Sequence, residues 1–156
     1  MIEYKRTSIL KTDADIIVCP ISSDKIFSNK LTQSIFIKYL PIDFNSLSLQ
    51  KGCVRNIPTN KGNKWLCLFP TKEHCYDKDS YDYIVAGLKT YNRIELNYEK
   101  SHSVLPVVSF PQLGVGDVSF LDIQVVMEQF LDELDQTVYI HINKGDEKLA
   151  LDKRKG

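Results

Sequence analysis

Ser109-Phe110-Pro111-Gln112-Leu113-Gly114-Val115-Gly116-Asp117-Val118-Ser119-Phe120 is the stretch whose reading decides the fold. Just before it runs Val104-Leu105-Pro106-Val107-Val108, an apolar segment that predicts a buried strand over 103–110. Just after it, Phe120 to Leu134 has a helical apolar period that turns Ile123, Val126, Met127, Phe130, Leu131 and Leu134 inward. Strand, Gly-x-Gly loop and helix in succession bring bare backbone N–H groups to a phosphate, with a helix N-terminus behind them. Gly114 and Gly116 suit such a loop, because a left-handed φ and a close ligand both exclude a Cβ. The same turn also occurs where a strand merely passes into a helix and binds nothing, so the loop by itself leaves both readings open.

Working outward, the remaining chain alternates strand and helix patterns. Residues 2–6 alternate apolar and polar as a half-buried edge strand does. Asp15-Ile16-Ile17-Val18-Cys19-Pro20-Ile21 is a β-branched run suited to a strand covered on both faces. Ser22 to Asn29 is a polar loop, and Leu31, Ile35 and Leu40 predict a helix over 30–40 that Pro41 stops. Residues 43–50 read as loop or a short helix. Cys53–Ile57 and Trp65–Phe69, the latter closed by Pro70, flank Thr59-Asn60-Lys61-Gly62-Asn63 and predict a hairpin. Asp79, with Asp82 three residues on, suggests the cap of a helix from Ser80 to about Asn97. Thr137 to Ile142 reads as a last strand. Strands separated by helices imply an α/β layered sheet whose ligands sit outside the carboxyl ends of the strands. That places loops 22–30 and 112–119 together at one cleft.

Composition narrows the class. The chain has 156 residues, room for one domain with a real core, and no internal repeat. Its 20 basic and 20 acidic residues cancel, so no global field recruits nucleic acid or an anionic membrane. No apolar run approaches a membrane span, and the N-terminus lacks the apolar core of a secretory signal; we expect a cytoplasmic protein. Cys19, Cys53, Cys67 and Cys75 form no Cys-x-x-Cys pair and read as free, mostly buried thiols rather than zinc ligands. We expect no metal and no cofactor.

Phe69-Pro70-Thr71-Lys72-Glu73-His74, followed by Ile84-Val85-Ala86-Gly87-Leu88, resembles a signature of macro domains. The similar branch removes ADP-ribose from DNA bases or protein carboxylates, and includes the antitoxin partners of DNA ADP-ribosyltransferase toxins. Pro111-Gln112-Leu113-Gly114-Val115-Gly116 resembles that branch's Pro-Pro-Leu-Gly-Cys-Gly loop around the diphosphate and distal ribose. The resemblance spans residues 2 to 142. It implies a three-layer α/β/α macro-domain-like fold around a central mixed sheet, with 143–156 a charged, frayed tail. The departures lie in the ligand site. Thr7-Ser8 stands where the branch keeps an acid for the adenine amine, Cys19-Pro20-Ile21-Ser22 replaces an Asn-x-x-Asn run, and Ser23 to Leu31 holds no glycine.

By position, the resemblance implies Lys30 and Asp117 as catalytic residues, an amine attacking the anomeric carbon of the distal ribose and its acid/base partner. It implies ligand contacts from Ser8, Ser22, Thr71, Gly114, Val115, Gly116 and Ser119. Read from the residues alone, Lys30 is equally a solvated side chain at a helix start, and Asp117 and Ser119 are equally caps. Phe27, Tyr76 and Phe120 are candidate stacking partners for adenine or ribose, or core aromatics. His74 reads as ordering its own loop, and His102 and His141 give no functional signal. Three functions follow. The first is hydrolysis of ADP-ribose from a modified DNA base or protein side chain. The second is a non-catalytic module binding ADP-ribose or a related nucleotide. The third is a degenerate macro fold used for protein interaction. The expected partner is ADP-ribose or an ADP-ribosylated macromolecule, modified DNA included, bound by a monomer without membrane contact. An antitoxin-like or phage counter-defence role would accord with the branch.

Overall fold

In the computed structural model the described residues are 1–27, 29–102, 105–113, 120–132 and 136–142, with 92–102 described by backbone alone. The elements are β1 (Ile2–Lys5), β2 (Ile16–Ser22), α1 (Lys30–Tyr39), β3 (Arg55–Pro58), β4 (Trp65–Lys72), α2 (Tyr81–His102), β5 (Val108–Pro111), α3 (Phe120–Leu131) and β6 (Val138–His141). The strands form one six-stranded sheet in the order β1-β6-β5-β2-β4-β3. All neighbours are parallel except the hairpin strand β3, which runs antiparallel to β4. The sheet is therefore mixed, as expected.

Strand alternation splits the core in two. Ile16 and Val18 of β2 and Cys67 and Phe69 of β4 pack with Ile84, Leu88 and Tyr91 of α2 and Ile123, Met127 and Leu131 of α3. Ile17, Cys19 and Ile21, with Leu66 and Leu68, face the other way, onto Ile35 and Tyr39 of α1 and onto Leu49. Helices thus cover both faces, which is why β2 and β4 read as unbroken apolar runs rather than alternating ones. Phe120 belongs to the first of these clusters. It is core and not a ligand platform.

The β4–α2 packing explains two blocks of sequence at once. A Cβ on Gly87 would lie 2.5 Å from Cζ and 2.7 Å from Cε1 of the fully buried Phe69 ring. Only a glycine lets the helix rest on that ring.

Several boundaries differ from the sequence reading. Pro70 does not close β4, which runs on through Thr71 to Lys72. The reason is one-sided pairing: β3 stops opposite Leu68, while β2 continues beside β4, pairing Ile21 with Pro70. A proline is tolerated where no second strand asks for its N–H. Helix α2 continues to His102, five residues beyond the expected end, and β5 begins only at Val108. Pro106 removes a ladder donor from the segment expected to start that strand. Ser80, not Asp79, caps α2: its carbonyl accepts from the Ile84 N–H at 3.1 Å and its hydroxyl from the Tyr83 N–H at 3.4 Å. Leu134 and the tail 143–156 lie outside the described residues.

Candidate functional site

The sheet opens at its carboxyl end because one ladder is short. β2 and β5 are in register only at Ile16–Val108 and Ile17–Ser109, whereas β2 and β4 stay paired to the end. Pro20 of β2 lies past the last pairing with β5. Beyond that point the strands part, and a cavity of about 290 Å³ fills the gap. The sheet order also reverses here, with β4 on one side of β2 and β5 on the other, the place where open α/β sheets bind ligands. Pro20, Ile21 and Ser22 from β2, Thr71 and Lys72 from β4, and Pro111 of β5 with Gln112 and Leu113 just after it line it, with Asn29 before α1, Leu31, Thr32 and Ile35 within α1, and Asp77, Lys78 and Asp79 before α2. Its volume sits at the small end of ligand pockets.

The loop from β2 to α1 is pinned at two points instead of carrying glycines. The Asp24 carboxylate accepts from the Ser22 hydroxyl, from the Ile26 N–H at 3.1 Å and from the Cys75 N–H at 2.9 Å. Partial desolvation raises its pKa, but the hydrogen bonds from Ser22, Cys75 and Ile26 outweigh this and hold it at about 2. The Ser23 and Asp24 N–H groups donate to the carbonyls of Lys72 and Glu73, at 2.9 and 3.2 Å, so this loop runs beside the one after β4. Lys25 takes a left-handed φ of 63° and its Nζ donates to the carbonyls of Asn45 and Leu47 at 3.1 and 2.7 Å. Phe27 packs at the cavity wall with its ring 4.8 Å from that of Phe36.

Lys30 is the first residue of α1 and is exposed. Asn29 before it has extended backbone, φ −117°, and its side chain accepts from the N–H groups of Leu31 and Thr32 at 2.8 and 3.2 Å. Helix geometry therefore replaces the glycine-flanked loop that the resemblance implies around this lysine. Asn29 and Leu31 line the cavity; Lys30 is not among the lining residues. Ser22 and Thr71 are both buried in the lining. Thr71 Oγ1 donates to Asp79 Oδ1 at 3.0 Å. Gly114, Val115, Gly116, Asp117 and Ser119 lie outside the described residues; Leu113, which precedes them, lines the cavity.

Ser8 stands apart: it is exposed and its hydroxyl accepts from the Leu10 N–H at 3.2 Å, capping the 3-10 turn Ile9–Lys11. Its neighbours are held by a buried polar chain that the sequence did not reveal. His141 Nδ1 lies 2.8 Å from the Thr7 carbonyl, which only accepts, so the ring proton sits on Nδ1. Ser109 Oγ then donates to Nε2 at 3.0 Å, and Thr12 Oγ1 donates to Ser109 Oγ at 2.6 Å. Burial lowers the His141 pKa, the positive Lys5 adds to this, and the Thr7 bond opposes it.

Tyr76, a candidate stacking residue, is 79% exposed and stacks on His74 with centroids 5.0 Å apart, away from the cavity lining. The His74 N–H donates to Asp77 Oδ2 at 3.1 Å, ordering its own turn. Cys19 and Cys67 are fully buried and burial raises both thiol pKa values, with Cys19 adding to the effect at Cys67. Among the described residues no three His, Cys, Asp or Glu side chains gather as a metal site, and no helix is long and apolar enough to cross a membrane.

This architecture is the macrodomain fold. The chain is similar to the macrodomain of Mycobacterium tuberculosis DarG, with a TM-score of 0.77 at 21% identity over 90% of this chain and 97% of that one. It is similar to the macrodomain of Thermus aquaticus DarG, with a TM-score of 0.75 at 14% identity over 91% and 98%. It also matches Thermosipho africanus DarTG in complex with ADP-ribose, with a TM-score of 0.61 at 18% identity over 89% of this chain and 40% of that one. By sequence, no protein-family profile and no curated protein matches.

Proposed function

We propose that this protein is a macro domain that recognises ADP-ribose. The observation that carries the reading is the cavity at the parted carboxyl ends of β2 and β5, at the reversal of strand order, in a fold shared with a protein solved with ADP-ribose bound. Its wall combines apolar side chains (Ile21, Phe27, Ile35, Leu113) with a few polar groups (Ser22, Asn29, Thr71, Gln112), the mixture that ligand pockets use for affinity and orientation. The Gly114–Gly116 segment follows directly from Leu113 and, in this reading, supplies backbone N–H groups to the diphosphate.

Hydrolysis of ADP-ribose from a modified DNA base or protein side chain is the second reading. It is favoured by one observation: Lys30 lies in sequence between two cavity-lining residues, Asn29 and Leu31, on a long side chain. In that reading the Lys30 amine is the nucleophile and Asp117 its acid/base partner.

Calorimetric titration with ADP-ribose, with AMP as control, tests the first reading. Micromolar binding, roughly −8 kcal/mol, is expected; no heat and no thermal shift at millimolar ligand would sink it. Lys30→Ala separates the two: it leaves binding within about twofold, whereas release of ADP-ribose from modified DNA or protein, if the parent has it, disappears.

A further inference from the structure

We propose that Tyr76, backed by His74, is a stacking platform at the cavity rim that selects a nucleobase, rather than a protein side chain, as the group joined to a bound ADP-ribose; this rests on the ADP-ribose reading and specifies the residue that reads what the ADP-ribose is attached to. The connection from β4 to α2 leaves the cavity wall after Lys72 and rejoins it at Asp77. Glu73 to Tyr76 is thus a short excursion outside the lining, so a ring placed on it lies beyond the cavity itself. Tyr76 is 79% exposed, more than any other large apolar side chain among the described residues. One face of its ring is covered, because His74 lies against it with centroids 5.0 Å apart and planes 8° from parallel. The other face is open to a second ring, at the spacing that aromatic pairs prefer.

The platform is fixed before anything binds. The His74 N–H donates to Asp77 Oδ2 at 3.1 Å and the Asp77 N–H donates to the His74 carbonyl at 3.0 Å, which closes the turn. The Cys75 N–H donates to Asp24 Oδ2 at 2.9 Å and ties the same turn to the loop after β2. A ring held in this way loses little freedom when another settles on it. Charge then chooses the occupant. The turn carries the carboxylates of Glu73 and Asp77, and the face of an aromatic ring is itself negative. A carboxylate is disfavoured over that face, whereas a neutral planar base stacks on it. Tyr81, 46% exposed at the first position of α2, gives the same connection a second exposed aromatic. Aromatic side chains of this kind hold the bases of single strands by stacking, with little regard to sequence. The 20 basic and 20 acidic residues leave no net field to grip a polynucleotide by its phosphates, so stacking carries the contact.

The test is calorimetric titration of the parent, Tyr76→Ala and Tyr76→Trp with three probes. These are ADP-ribose, a short single-stranded oligonucleotide carrying ADP-ribose on one base, and a peptide carrying it on a side chain, the last two through carbon–carbon links that hydrolysis does not cut. The parent is expected to bind the oligonucleotide about tenfold tighter than ADP-ribose, the scale of one base–aromatic stack, and the peptide no tighter than ADP-ribose. Tyr76→Ala removes that advantage and leaves ADP-ribose and the peptide within about twofold; a side chain this exposed can be truncated without loss of the fold. Tyr76→Trp keeps the advantage, and so does raising salt from about 50 to 200 mM, since stacking releases no counterions. ADP-ribose binding with no gain for the oligonucleotide overturns the inference alone, as does an equal gain for the peptide. A gain that survives Tyr76→Ala, or that vanishes with salt, overturns it too. An equal loss for all three probes in Tyr76→Ala would put the ring on the ADP-ribose itself and overturn it likewise. Failure of the parent to bind ADP-ribose at all overturns the functional reading and this inference with it.

Discussion

Gly87→Ala places a single methyl group against the most tightly packed point between α2 and the sheet. On propensity alone the change is favourable, since alanine is better than glycine in a helix interior by about 1 kcal/mol. Packing opposes it. The added Cβ would come within 2.5 and 2.7 Å of two Phe69 ring carbons, contacts that real Cβ atoms essentially never make, and 3.0 Å from a third. The ring has no easy retreat: Phe69 is fully buried and meets Phe110 edge-on with centroids 6.4 Å apart. The helix backbone there is tied as well, for the Thr90 hydroxyl shares its one proton between the Gly87 carbonyl at 3.0 Å and the Gly52 carbonyl at 3.1 Å. Inserting a methyl into a filled core costs about 1–3 kcal/mol, and contacts this short belong at the upper end. Subtracting the propensity gain leaves a net loss of about 1–2 kcal/mol, or roughly 2–8 °C in melting temperature for a chain of this size. Urea denaturation followed by tryptophan fluorescence gives the midpoint and slope; the midpoint is expected to fall with the slope unchanged. Gly87→Ala combined with Phe69→Leu would recover part of the loss, because the smaller side chain vacates the space. A Gly87→Ala protein as stable as its parent, or more so, would refute the reasoning and show that α2 does not rest on Phe69.

Two further predictions concern protons. In the folded chain burial lowers the His141 pKa, so between about pH 6.5, the unfolded value, and the lower folded value the unfolded chain binds more protons. Stability therefore falls on acidification below about pH 6.5, by at most about 1.4 kcal/mol per pH unit from this group. His141→Gln, compared with the parent by urea titration at pH 7 and pH 5, is expected to lose that part of the slope; an identical pH dependence in both would refute it. Asp24 has the same sign but acts at lower pH. Its pKa is held at about 2, so its contribution is complete above the unfolded carboxylate value near 4 and is lost as pH falls through about 2. Asp24→Asn should lower stability and free the loop after β2 at neutral pH, with a gap to the parent that narrows toward pH 3. A gap that stays constant from pH 7 to pH 3 would show that the charge of Asp24 does not hold the loop.

The elements and their order were legible in the sequence because they rest on local patterning. The apolar runs of β2 and β4, the period of α1 and its stop at Pro41, and the turn residues 59–63 of the hairpin depend on side chains within one segment. The resemblance in Phe69–His74 and Ile84–Leu88 supplied the fold, and the tertiary structure adds its physical basis: Phe69 and Gly87 are two halves of one contact. What local pattern could not supply is whatever depends on a neighbouring strand. Pro70 looks like a terminator in sequence, yet β4 passes through it because β3 has already stopped. Asp79 has the spacing of a cap, but its bond from Thr71, eight residues earlier, is not visible in that spacing. His141 carries no motif at all, since its partners Thr7 and Ser109 come from two distant segments. Lys30 is legible as a position but not as a geometry, which Asn29 fixes as the first residue of a helix. The sequence by itself thus determined the secondary elements and the class of fold, through periodicities a few residues long. Only the tertiary structure decided where the sheet opens and which side chains meet there, because both follow from the two-residue ladder between β2 and β5, a pairing across about ninety positions of chain that no local pattern encodes.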